Sequence, residues 1–284
     1  MFFGNTGETI AVADTLKKAA EGSSDPSWIM HHVMDANCIE IPFTDINIYF
    51  PHLQLFGLDI SLTKYSFFIL VVGLLLLIVG LAAAKGYKKS LVPKGFSNLI
   101  EIIILFVRDE IVKPSIGKGF EPYLPYMLTL FFFILVSNLF GLVPYAATVT
   151  GNIAVTATLA IISFIVTQYS GMKSYGVLKY LKGLVPKGMP IFIIPIMALI
   201  EIIGLFTKPF ALCVRLFANM VAGHIIIFSL LGLIFILRTV YVAPVSVGFA
   251  LFIELLELLV AVIQAYVFTM LTALFIGMAK HSEH

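Results

Sequence analysis

Residues 190–237 read PIFIIPIMALIEIIGLFTKPFALCVRLFANMVAGHIIIFSLLGLIFIL. As one helix, this run of about 48 residues would be roughly 70 Å long, against a bilayer hydrocarbon core of ~30 Å. Such a helix has to be steeply tilted, kinked or divided, and Pro209, which lacks a backbone donor, is the natural kink. After a short turn at 241–244, a second long apolar run covers 245–278. We read 190–237 and 245–278 as the arms of a helical hairpin lying at a strong slant in a membrane. Periodicity alone leaves open two upright spans in each arm.

The composition agrees. Of the 284 residues, 60 % are hydrophobic and 12 % charged, with a mean hydropathy of +1.03. A soluble domain carries about twice that share of charge, so a soluble enzyme and a disordered linker are excluded. Two cysteines, Cys38 and Cys213, imply no disulfide framework. The formal net charge of +2 points away from a nucleic-acid partner. Three further runs, at about 65–84, 122–143 and 152–170, are long enough to span. The segment 96–112 is apolar but interrupted by Glu101, Arg108, Asp109 and Glu110, and reads as an amphipathic surface helix. The expected fold is therefore an all-α integral membrane protein of about six helices: three spans, one amphipathic helix and the tilted hairpin.

Residues 1–63 form a polar region without a run of spanning length, and residues 64–284 form the membrane domain. Within the former, 8–20 is weakly amphipathic and 28–34 suits a bilayer interface. His31, His32, Asp35 and Cys38 match no metal-ligand spacing, since adjacent histidines cannot face one way on a helix; neither a metal nor another cofactor is expected. No transit or secretory pattern is apparent. Of the 18 Lys and Arg residues, seven fall in 85–121 and four in 171–188, while the loop at 145–151 has none. The positive-inside rule then puts both basic segments and the C-terminus in the cytoplasm and residues 1–63 outside. Arg238, near the outer turn, departs mildly from that pattern.

Charge is rare in the hairpin, so the ionisable groups that occur there are informative. The first arm holds Glu201, Lys208, Arg215 and His224, and the second Glu254 and Glu257. Such residues cost ~2.5–3.5 kcal/mol each at a bilayer centre and tend to mark ion paths, although buried pairs such as Glu257 with His224 can also simply join helices. At about 100° per residue, Glu201, Lys208, Arg215 and Asn219 share one face with Ala211, Ala218 and Ala222. Small side chains admit a close neighbour, and Arg215 adds a charge that does not deprotonate. That combination suits a carboxylate-bearing partner that moves past. His224 lies on the opposite side, towards the second arm, where Glu257, Ala261 and Gln264 share a face with Glu254 on its shoulder. Imidazole, carboxylate, Asn219 and Gln264 together could relay protons.

Lys208-Pro209, followed by Arg215-Leu216-Phe217-Ala218-Asn219-Met220-Val221-Ala222-Gly223-His224, resembles the signature of subunit a of F-type ATP synthases. Glu257 with 264–268, and 137–144 with 150–152, are similar to that family's closing helix and to its second span and turn. The resemblance covers about residues 30–284. It implies the stator of a rotary motor, pressed against a ring of small hairpin c-type subunits and held by peripheral-stalk b-type subunits in a lipid bilayer. Arg215 would separate two offset proton half-channels. Asn219, His224, Glu257 and Gln264 would line the external one, with Glu254 nearby, and Glu201 the internal one. No nucleotide is bound directly; ATP chemistry belongs to partner subunits, so the chain is not itself an enzyme. Many bacterial members have an acid at the position of His224 and a histidine at that of Glu257; here the two are exchanged. Gly141 stands where some members carry an acid. A bacterial plasma membrane is the expected location, ahead of an organellar inner membrane.

An ion-coupled secondary transporter or channel is the alternative. It would predict inverted repeats, and none is found. The phosphate-binding pattern G-x-x-x-x-G-K-[ST] is also absent.

Overall fold

A computed structural model describes residues 38–40, 47–49, 54–55, 58–59, 64–89, 95–143, 148–177, 179–180, 194–237 and 240–281. The segments 8–20 and 28–34, with His31, His32 and Asp35, lie outside the described residues, as do Lys94, Lys182, Lys187 and Arg238. The chain divides into two compact units, one comprising Met1–Lys64 with Val221–Leu258, the other Tyr65–Met220 with Leu259–His284.

Six helices dominate the described residues: α1 (Lys64–Lys89), α2 (Phe96–Phe106), α3 (Leu124–Gly141), α4 (Ile153–Tyr175), α5 (Ile194–Leu237) and α6 (Ala243–His281). All but α2 are long and apolar enough to cross a membrane. Each hairpin arm is a single helix, α5 of 44 residues and α6 of 39, so neither is divided into separate spans. Pro209 lies inside α5 without ending it; it withholds one N–H, from the carbonyl of Leu205, while the bonds on either side persist.

The first unit also contains two short antiparallel ladders that patterning did not anticipate. Strands β1 (Cys38–Glu40) and β2 (Asn47–Tyr49) pair with Ile39 opposite Ile48, and β3 (Gln54–Leu55) pairs with β4 (Leu58–Asp59). Strands of two or three residues are too short for alternation to announce them.

In the second unit, the amphipathic segment is longer and less regular than a plain α-helix. After α2 comes a π-turn, Val107–Val112, and then a last α-turn, Lys113–Ile116. The wider π-turn buries Val107, Ile111, Val112 and Ile116 together while Asp109 and Glu110 stay exposed. Arg108 donates to both Asp109 carboxylate oxygens, at 3.0 and 2.8 Å. This hydrogen-bonded guanidinium holds the exposed Asp109 carboxyl below its ordinary range.

The core of this unit joins the π-turn to Met127, Leu130, Phe131 and Ile134 of α3, Leu212 and Leu216 of α5, and Phe268, Ala273 and Ile276 of α6. Polar pairs tie α3 and its lead-in to α4: Tyr123 with Ser170 at 2.8 Å and Tyr126 with Ser163 at 2.9 Å. Asn152 caps α4 by accepting from the Ala154 N–H. At the far end of α6, Gly277 lies so close to the Ser115 carbonyl that a Cβ would collide with backbone. Beyond it, Lys280 donates to the Lys118 and Gly119 carbonyls, and His281 Nε2 sits 2.9 Å from the Ile116 carbonyl. These contacts fasten the end of α6 to the turn after α2.

Candidate functional site

In the first unit, α5 and α6 bring His224 and Glu257 together. Nδ1 of the imidazole lies 2.8 Å from Oε1 of the carboxylate, with the Glu257 side chain 4 % exposed and that of His224 20 %. The contact is short but lacks the alignment of a hydrogen bond, and neither carboxylate oxygen has a hydrogen-bond partner among the described residues. The carboxylate rests against α5 because Gly223 has no side chain. A Cβ there would stand 2.8 Å from Glu257 Cδ and 2.8 Å from Oε1. Glu254, one turn earlier on α6, is partly exposed, and no ion pair involving it is found among the described residues.

In the second unit, Asn219 Nδ2 donates to Gln264 Oε1 at 2.9 Å. Gln264 is 3 % exposed, and its Nε2 has no protein partner among the described residues, an arrangement that suits ordered water. Nearby on the same face of α6, the Ala261 carbonyl accepts from Asn138 Nδ2 at 3.3 Å, and Asn138 Oδ1 accepts from Thr150 at 2.7 Å. A polar chain thus runs through α3, the turn before α4, and α6. Gly141, one turn after Asn138, makes room for Thr148, whose methyl would stand 2.6 Å from a Cβ.

Arg215 is exposed, with Ala211 and Ala218 exposed beside it on α5; Ala222, one turn after Ala218, is exposed as well. Among the described residues no carboxylate lies within ion-pairing distance of Arg215. On the other side of the helix, Leu212, Leu216 and Met220 are buried. Glu201, partly exposed, lines a cavity with Lys208. No group of three or more His, Cys, Asp or Glu side chains among the described residues could hold a metal ion.

The family model described as ATP synthase A chain matches residues 66–277. The chain belongs to that family. It is similar to ATP synthase subunit a of Chloroherpeton thalassium, 52 % identical over 260 residues that cover 90 % of this chain and 77 % of the relative. The similarity to ATP synthase subunit a 2 of Chlorobaculum tepidum is 50 % identity over 283 residues, 98 % of this chain and 79 % of the relative. With ATP synthase subunit a of Myxococcus xanthus it is 48 % over 261 residues, 91 % and 85 % of the two. The chain is a multi-pass, proton-conducting stator subunit of an ATP synthase and carries no catalytic centre of its own.

Sequence reasoning singled out His224, Glu257, Asn219 and Gln264, and the structure brings them together as two pairs. It overlooked Gly223 and the Asn138–Thr150 pair. Two signals were available: a glycine directly before the histidine of the motif, and an asparagine inside an apolar span.

Proposed function

We infer that the chain provides two offset half-channels by which protons reach and leave the carboxylates of a rotating ring of small hairpin c-type subunits. Arg215 is the separator. Its fixed charge attracts a deprotonated ring carboxylate and prevents direct leakage between the half-channels, while Ala211, Ala218 and Ala222 let the ring helix approach. His224 and Glu257 serve the external half-channel by exchanging protons with water, Asn219 and Gln264 line it, with Glu254 near it, and Glu201 serves the internal one. A carboxylate and an imidazole in contact are suited to passing a proton, because one accepts as the other releases.

The observation that carries this reading is Arg215 on an exposed small-residue face, with no carboxylate in ion-pairing reach among the described residues. A cation in an apolar helix is costly unless a partner compensates it, and the strip leaves room for that partner outside the chain. Peripheral-stalk b-type subunits hold the stator, in a bacterial plasma membrane, with residues 1–63 outside and the C-terminus in the cytoplasm. Substituting Arg215 by Ala should reduce proton-driven ATP synthesis in assembled membranes to background. Retained coupled synthesis would remove the separator assignment.

A further inference from the structure

The second half of α6 belongs to the second unit, and little on its buried face fixes its position along its own axis. That face presents small or apolar side chains such as Ala261, Ala265, Phe268 and Ala273. Two hydroxyls among them, those of Thr269 and Thr272, are buried and have no hydrogen-bond partner among the described residues. Apolar attraction is non-directional, so it opposes the separation of packed helices more than their sliding. Shifts of about 1–2 Å between packed helices are common. The pair on the proton path tolerates little of this. Asn219 Nδ2 donates to Gln264 Oε1 at 2.9 Å, and at about 3.6 Å such a contact is no longer a hydrogen bond. The neighbouring tie, from Asn138 Nδ2 to the Ala261 carbonyl, is already long at 3.3 Å.

Directional contacts gather instead at the C-terminal end of α6. Lys280 donates to the carbonyls of Lys118 and Gly119, and His281 Nε2 sits 2.9 Å from that of Ile116. Gly277, one turn before His281, lies against the Ser115 carbonyl with no room for a Cβ. The turn at 116–119 presents its carbonyls this way because Gly117 and Gly119 have φ of +72° and +75°, a left-handed region that glycine enters without steric cost. At Gly119 a Cβ would stand 2.7 Å from Lys280 Nζ, so the turn holds the ammonium where a side chain is missing. The turn is anchored in its own right, since Ile116 is buried in the core with Ile111 and Val112. Hydrogen bonds from an ammonium are charge-assisted and strong. Lys280 lies about 24 Å beyond Gln264 along the axis, and α6 is a single helix between them, so the position of one sets the position of the other.

We propose that Lys280, with Gly277 and His281, is an axial stop for α6: by locking the helix end onto the 116–119 turn it holds Gln264 level with Asn219. Lys280 is then a positioning residue of the proton path and acts through Gln264. This rests on the reading of Gln264 as a lining residue of the external half-channel, and the test separates the two.

Two variants release the stop from opposite sides. Lys280→Met keeps the alkyl stem and removes the donors; Gly119→Ala displaces the ammonium from the turn. Each is made in the whole ATP synthase complex, reconstituted into vesicles and otherwise free of reactive thiols, with spin labels on cysteines placed at the exposed Ile153 and Leu274. Asn138 bridges Thr150, just before α4, and Ala261 of α6. Ile153 is therefore near the level of Ala261, and Leu274 is about 20 Å further along the axis, so the distance between the labels reads a slide of α6. Its mean, from pulsed electron paramagnetic resonance, is expected to change by about 1–2 Å in both variants. An unchanged distance in either assembled variant overturns the stop. ATP-driven proton pumping supplies a readout that a merely structural role would not move. Lys280→Met should lower it about fivefold, the scale of one lost hydrogen bond, and should lower it no further in a Gln264→Leu background. Equal fractional losses in the two backgrounds would overturn the positioning role. Full pumping by Gln264→Leu alone would remove Gln264 from the half-channel, and the label distances would still decide whether the stop exists.

Discussion

Arg215 and Glu257 are both ionisable groups in long apolar helices, and their surroundings are opposite. Arg215 is exposed, among alanines, with no carboxylate within ion-pairing distance among the described residues. Glu257 is buried at 5 % exposure against His224, in a space that exists because Gly223 has no Cβ. Small residues thus serve two purposes in one helix. On the alanine strip they leave space outside the chain, which something else must fill. At Gly223 they leave space inside, which the chain fills with its own carboxylate. The first arrangement suits a charge that meets a passing partner, the second a charge held in place for exchange with its neighbour.

The contrast can be broken most severely at the strip. Ala218→Phe places a ring where a ring-subunit helix would pass. It should leave insertion of the chain intact, because Ala218 supports nothing inside it, yet reduce both ATP synthesis and ATP-driven proton pumping to background. Normal rates with an assembled ring would mean that the strip is not a close-approach surface.

A smaller effect is expected at Gly223. Alanine there pushes on the Glu257 carboxylate; overpacking of this kind costs about 1–3 kcal/mol, so proton conduction should fall by about tenfold with Arg215 function retained. Equal damage in Gly223→Ala and Ala218→Phe, measured as proton flux through vesicles, would erase the distinction between inward and outward space. The mildest change is the double exchange His224→Glu with Glu257→His. It preserves an imidazole–carboxylate contact with the partners reversed, so it should conduct better than either His224→Ala or Glu257→Ala. If the exchange proved as harmful as the two losses combined, the pair would not be acting as a relay.

Much of this was legible in the chain itself. Helices α1, α3, α4, α5 and α6 announce themselves because twenty or more apolar residues have few other solutions in a membrane. Arg215, His224 and Glu257 were visible because charge against such a background is conspicuous. The alanine strip follows from helical spacing alone. Other features depend on what lies across from them. The π-turn at Val107–Val112 arises from packing Ile111 and Val112 into the same core, which no local pattern states. Gly277 looks like any helical glycine until Ser115 is seen against it. The cavity joins residues of α4 and α5 to Tyr180, separated by tens of positions in the chain, and neither helix signals it alone.

The sequence by itself determined that this is a helical membrane protein and which few residues carry charge where charge is costly. Those are properties of composition and period, set by the solvent each residue must face. The tertiary structure decided which of those charges are paired. It gave His224 to Glu257 and Asn219 to Gln264, left Arg215 facing outward, and turned Glu201 and Lys208 towards a common cavity. Pairing depends on distances of a few ångströms between helices, and those are fixed by how side chains, and the lack of them at glycine, fit together.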